Sequence, residues 1–302
     1  MALNDWSGMC LIQGIKQGDH QMKLSKSIAG IALAFAFTGY AQATTLLYND
    51  FSSTAGLQIN GNAAQAGTAL RVTPANYSQS GSFFSTNTVS LASNASFSTA
   101  FRFQFSGAGG ACDGQGCGAD GLVFVVQTNS NSVGGLGGGI GYAGLPNSVG
   151  IEFDTWNNGA GDNNSSNHVG IDLNGNVSSA ALAEVALGDM NNGDIWSAWV
   201  DYNGATGLLE VRLALGANAA RPGSSLLSYN TDLASILGST DAFVGFTSGT
   251  GAAYANHDVL AWQLNSTYDP ISTVGANVPE PASLALIGLG LAGLGVSRRK
   301  KA

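Results

Sequence analysis

The sequence predicts an all-β chain folded as one antiparallel β-sandwich, and three observations carry that expectation. Charged residues are only 10% of the chain and Gly accounts for 43 of 302 residues, a balance suited to short strands joined by many turns. Alternating or continuously apolar runs, bounded by Gly, Asn and Ser, recur at close spacing, and at least ten fit between residues 44 and 270. No long amphipathic helical pattern competes with them.

The two ends are set apart from this body. From Met22 to Ala43 the chain reads MKLSKSIAGIALAFAFTGYAQA, with Lys23 and Lys26 ahead of an apolar run and Ala41-Gln42-Ala43 behind it. That order is a secretory signal peptide, cleaved after Ala43. Residues 1–21 carry no pattern and read as an upstream extension from a start codon assigned too early. After a linker over 271–278, residues 279–302 read PEPASLALIGLGLAGLGVSRRKKA. An apolar run of 15 residues, Ala282 to Val296, rises roughly 22 Å as a helix, short of the ~30 Å bilayer core unless the membrane thins. Arg298 to Lys301 would stay on the cytoplasmic side. This tail resembles the PEP-CTERM sorting signal of Gram-negative envelope proteins. The resemblance implies transient inner-membrane (transmembrane) anchoring and removal by a membrane peptidase, with the body left in the cell envelope, on the outer surface or outside. A plain C-terminal membrane anchor is the alternative, and it too implies export.

Between Thr44 and Pro281 there are 17 acidic and 4 basic residues, so the exported body is near −13. Such a surface repels phosphate backbones, which argues against nucleic acid and favours hard cations. Cys112 and Cys117, in CDGQGC, read as one local disulfide of little energetic weight, because so short a closed loop removes little unfolded-chain entropy.

In chain order, Phe97, Phe101, Phe103 and Phe105 build a strand with one buried aromatic face. DGLVFVVQ and VGIEFDTW are apolar on both faces and read as central strands. HVGIDLNG follows with a turn at Asn174-Gly175, and residues 195–215 form a hairpin around Asn203-Gly204 and Gly207. A short helix is expected near Leu233–Leu237, then strands in DAFVGFTSGTG and HDVLAWQLN. His257 and Asp258, adjacent and therefore on opposite strand faces, are expected to be structural.

The segment VGIEFDTWNNGAGDNNSSNHVGID, 149–172, carries the candidate chemistry. Glu152 and Asp154 project from one strand face with Phe153 turned to the core, and two carboxylates so placed repel unless a proton or cation lies between them. The loop that follows is rich in oxygen donors and lets the Trp156 carbonyl, Asn158 and Asp162 fold back toward Asp154. That donor set suits Ca²⁺, while the nitrogen of His168 suits Mn²⁺ better.

Four segments in order, ADGLVFVV at 119–126, GGGIGY at 137–142, the 149–172 segment and TGAAYANHDVLAWQL at 250–264, resemble the legume-type (L-type) lectins. These are jelly-roll sandwiches of the concanavalin fold, and the resemblance spans most of residues 46–267. It implies Glu152, Asp154, Asp162 and His168 as transition-metal ligands, and Asp154, the Trp156 carbonyl, Asn158 and Asp162 as calcium ligands. It further implies a cis peptide at Ala119-Asp120, with Asp120, Gly138 and Asn158 bonding the sugar and Trp156 stacking on it. The last binding loop falls at Ala252 and Ala253. Glycans or exopolysaccharide are the implied partners and, by family analogy alone, a homodimer.

Two other classes compete. Laminarinase-type glucanases share the sandwich and follow Glu-x-Asp closely with a second Glu, because glycoside cleavage needs a nucleophile and a separate acid. Here Trp156, Asn157 and Asn158 stand there and the next Glu is Glu184, so no enzyme is expected. The other competitor is a structural matrix or adhesion protein that no longer binds sugar.

Overall fold

The computed structural model of the protein describes residues 45–274, apart from Gln115 and Leu136. The upstream extension, the signal peptide and the sorting segment lie outside the described residues. The chain opens with β1 (Thr45–Tyr48), β2 (Leu57–Gly61), β3 (Ala64–Ala66), β4 (Ala69–Thr73), β5 (Ser80–Ser85) and β6 (Val89–Ser90), then a one-turn helix, α1 (Ala92–Ala95). Next come β7 (Phe97–Gly110), β8 (Gly121–Gln127), β9 (Ser148–Asp154), β10 (His168–Leu173) and β11 (Asn176–Glu184). The last third holds β12 (Ile195–Asn203), β13 (Leu208–Leu215), β14 (Leu227–Asn230), α2 (Leu233–Leu237), β15 (Asp241–Gly249) and β16 (Ala253–Asn265). The helix expected near Leu233 is α2, capped by Asp232, whose side chain accepts from Ser235 N. The short α1 had no sequence signal.

Two antiparallel sheets stack face to face. The back sheet runs β14-β13-β12-β7-β16-β4-β3 with β1 beside β16, and the front sheet runs β11-β10-β9-β8-β15-β5-β2 with β6 beside β15. Alternation turns one face of each strand inward, so Phe97, Phe101, Phe103 and Phe105 of β7 are fully buried. Phe101 meets Phe246 of β15 and Phe103 meets Phe153 of β9, each with ring centroids 4.9 Å apart, which joins the sheets through aromatic contacts. Truncating any one of these phenylalanines to Ala costs about 3–5 kcal/mol in a packed core.

The outer face of the front sheet is covered too. Residues 128–147, between β8 and β9, curl back so that Ile140, Tyr142 and Leu145 pack on Phe84, Val123 and Val125. This second layer explains why β8 and β9 are buried along their whole length and read as apolar on both faces. On the outer face of the back sheet, Ile271 and Val274 pack against Ala100, Trp199 and Ala261. The packed body therefore reaches at least Val274, four residues into the stretch expected as linker. Two isolated apolar residues amid Ser, Thr and Gly gave no periodic signal that they cover a tryptophan.

Candidate functional site

In β9, Val149, Ile151 and Phe153 face the core, which leaves Glu152 and Asp154 on the other face. The register with β10 sets His168 opposite Asp154 and Gly170 opposite Glu152, so His168, Gly170 and Asp172 share that face. Gly170 is required by close approach, since a Cβ there would collide with the Glu152 carboxylate and the Ser179 hydroxyl. Ser179 Oγ lies 2.5 Å from Glu152 Oε1 and 2.8 Å from Asp172 Oδ1. One hydroxyl proton can serve only one of those carboxylates at a time.

Ligand atoms of Glu152, Asp154 and His168, all buried, lie within 4.8 Å of one another. His168 Nε2 is 3.4 Å from Glu152 Oε1, and neither ring nitrogen has a hydrogen-bond partner. The loop after β9 then folds back as its composition suggested. Trp156 N donates to Asp154 Oδ1 at 2.7 Å, and a 3-10 turn over Gly159–Asp162 returns Asp162, whose Oδ2 accepts from Asn158 N at 2.5 Å. Asn163 and Asn164 take the left-handed φ of 54° and 60° that close the turn, a region asparagine tolerates better than most side chains.

Electrostatics single this face out. Burial holds the Asp154 carboxyl well above the usual carboxylate range and neighbouring Glu152 adds to it. Asp172 is raised in the same way, by burial and then by Glu152, and Asp162 is raised by burial. The body has four basic residues. Arg71, Arg102 and Arg212 lie on back-sheet strands and Arg221 in the connection after β13, so none neutralises the cluster. Buried carboxylates without a partner cation, beside a histidine with two unpartnered nitrogens, fit a bound metal ion.

The neighbouring loops converge next to this cluster. The peptide Ala119-Asp120 is cis. Asp120 is buried with its Oδ2 unpartnered, and burial pushes its carboxyl up to about 7. Its carbonyl accepts from Thr155 N and Thr155 Oγ1, which ties it to the loop after β9. Gly138 lies so near Asn158 that a Cβ would sit 2.8 Å from Asn158 Oδ1. A Cβ on Gly251 would lie 3.9 Å from Asp120 Oδ2 and 3.7 Å from Gly137 Cα. Asp120 and Gly251, and likewise Gly138 and Asn158, thus lie close together, with half-buried Trp156 two residues before Asn158 and exposed Ala252 next to Gly251.

Ala253 is 3% exposed and opens β16, where it pairs with Gly110 of β7. Gly251, two residues earlier, faces Asp120. Sequence reasoning missed Asp172 and Ser179. The alternation His168, Gly170, Asp172 could have flagged Asp172, whereas Ser179 depends on the register of β10 with β11.

Comparison with known proteins agrees with this geometry. Residues 43–278 match the legume lectin domain family model. The chain belongs to the legume lectin family. That family is carbohydrate-binding and non-catalytic. Residues 277–300 match the PEP-CTERM protein-sorting motif, which marks the chain for export. The L-type lectin-domain containing receptor kinase VIII.1 of Arabidopsis thaliana is 30% identical over 223 residues, covering 72% of this chain and 28% of the kinase. The chain therefore spans little more than a quarter of that relative. Bark lectin of Styphnolobium japonicum is 34% identical over 161 residues, covering 50% of this chain and 56% of that lectin. The Bauhinia forficata lectin in complex with GalNAc superposes with a TM-score of 0.62 at 23% identity, over 74% of this chain and 97% of that one. The metal-free form of lectin I-B4 from Griffonia simplicifolia gives 0.61 at 24%, over 73% and 98%. Both structures establish the shared sandwich. Among the described residues no helix is long and apolar enough to cross a membrane, and the C-terminal apolar run expected to anchor the chain lies outside them.

Proposed function

We propose that the chain is an exported, calcium-dependent lectin that binds cell-surface or exopolysaccharide glycans without catalysis. The observation that carries this reading is the convergence of Asp120, Gly138 and Asn158 beside buried carboxylates that lack a counter-charge. Asp154, the Trp156 carbonyl, Asn158 and Asp162 are the calcium ligands, and Glu152, Asp154, Asp162 and His168 hold a Mn²⁺-type ion. Bound calcium supplies the positive charge that neutralises the carboxylates and keeps the loop after β9 in place.

The chain's own groups do the recognition. Asp120, once ionised, accepts hydrogen bonds from neighbouring sugar hydroxyls, while the Asn158 amide and the Gly138 N–H donate to the same ring. Trp156 covers the apolar face of the pyranose. Ala252 has no polar side-chain atom, so that part of the rim selects by backbone and shape. A single shallow site binds weakly, and a homodimer or a crowded surface would supply avidity. On this reading residues 22–43 are removed on export and residues 279–302 direct sorting in the Gram-negative envelope. GalNAc and galactose, named in complexes of the structural relatives, are the first sugars to try.

A glycan array probed in calcium and again in EDTA tests the proposal. Binding lost in EDTA supports it. Binding to no glycan in either condition replaces it with a matrix role, and release of reducing ends replaces it with a hydrolase.

A further inference from the structure

The loop closed by the Cys112–Cys117 disulfide reaches three of the segments that form the proposed site. Ala111 N donates to Ala252 O at 2.9 Å. Gly118, two residues before Asp120, donates through its N–H to Ala111 O at 3.4 Å. Its carbonyl accepts from Asn191 Nδ2 at 3.3 Å. Asp113 Oδ2 accepts from Asn157 N at 3.0 Å. Inside the loop Asp113 N donates to Gly116 O at 2.8 Å, so closure by the two cysteines fixes the backbone that presents the Asp113 side chain.

The contact with Asn157 N has a stereochemical consequence. The Asn157 N–H and the Trp156 carbonyl belong to one planar trans peptide, in which the two bonds point in opposite directions. An acceptor that holds the N–H on one side aims the carbonyl to the other. We propose that Asp113 is a positioning residue that orients the Trp156 carbonyl toward the calcium, and that the Cys112–Cys117 bond keeps Asp113 in place. The site therefore reaches full affinity only in the oxidised, exported chain. This inference rests on the calcium-dependent lectin reading above. Both cysteines are exposed and within reach of a dithiol, which donates two electrons and two protons, breaks the S–S bond and leaves two thiols on the protein.

Calcium titration of the full chain by calorimetry, paired with melting curves in EDTA, tests it. Asp113→Ala is expected to weaken calcium binding about tenfold, the loss of one charge-assisted hydrogen bond. Asp113→Asn keeps an acceptor oxygen and is expected to stay within about threefold of wild type. Dithiothreitol-treated wild type and the Cys112→Ser/Cys117→Ser double variant are expected to move with Asp113→Ala, with melting in EDTA nearly unchanged. If the double variant does not fold, Asp113→Ala against Asp113→Asn decides. Absence of calcium uptake by the oxidised wild type overturns the lectin reading together with this inference. Uptake that Asp113→Ala leaves unchanged overturns this inference alone.

Discussion

The two sheets bury acidic groups in opposite ways. On the back sheet Asp201 is 1% exposed and meets Arg221 directly, with Arg212 Nη1 at 3.6 Å, while Arg212 also reaches Glu210 at 3.0 Å. On the front sheet Glu152, Asp154 and Asp172 are as deeply buried, Asp162 joins them from the turn after β9, and His168 is the basic group among them. The first set is neutralised within the chain and serves the structure. The second is left short of positive charge, which in a stable fold means protonation or a cation from outside. Between the sheets a third solution appears. Buried His257 meets Thr73 Oγ1 through Nδ1 at 2.7 Å, Thr73 meets Ser248 Oγ at 2.8 Å, and Ser248 donates to Gly121 O at 2.6 Å. Followed back from that carbonyl, each hydroxyl passes its hydrogen forward, so Nδ1 is the donor, while Nε2 has no hydrogen-bond partner and burial keeps the ring neutral.

Each arrangement can be broken separately, and the largest effect belongs to the paired set. Asp201→Ala strands Arg212 and Arg221 and is expected to destabilise the chain by about 3–5 kcal/mol in urea unfolding, with calcium affinity unchanged. His257 comes next. Burial lowers it from 6.5 to about 3, so its stabilising contribution is complete above pH 6.5 and is lost as pH falls toward 3. Relative to His257→Asn in EDTA, wild type should lose up to about 1.4 kcal/mol per pH unit across that window. A flat difference between pH 6 and pH 4 would show that the ring is charged in the fold.

Removing a carboxylate from the unpaired set should act in the reverse sense from Asp201→Ala. Asp154→Ala is expected to cut calcium affinity by at least about 100-fold in a calorimetric titration. In EDTA the same variant should be about 1 kcal/mol more stable than wild type, because one source of repulsion is gone. Loss of stability in EDTA would mean that the cluster is held together by protons alone. The smallest effect is expected at Arg71, which pairs with Asp258 at 2.7 Å and is about one-third exposed. Arg71→Met removes both charge-assisted hydrogen bonds to the buried Asp258 carboxylate and should cost about 2 kcal/mol, only part of it lost in high salt.

How much of this was legible in the chain depended on the range of each interaction. The strand from Phe97, the both-face burial of β8 and β9, and α2 followed from periodicity over a few residues. Glu152 beside Asp154 also followed, since their shared face is a property of any strand. Asp172 and Ser179 joined the cluster only through the pairings of β10 with β9 and β11. Ile271 and Val274 were misread as linker since the tryptophan they cover lies some seventy residues away in sequence.

The sequence by itself therefore determined the strand content, the C-terminal sorting motif, the oxygen-rich loop and an acidic body with few bases to match it. These are statements about composition and alternation, and they survive any choice of register. The tertiary structure decided which carboxylates meet, that every arginine among the described residues falls away from them, and that a small disulfide loop sets Asp113 against the peptide of Trp156 and Asn157. Those outcomes depend on sheet order and cross-strand register, which are chosen by burial of the shared aromatic core and not by the residues of the site.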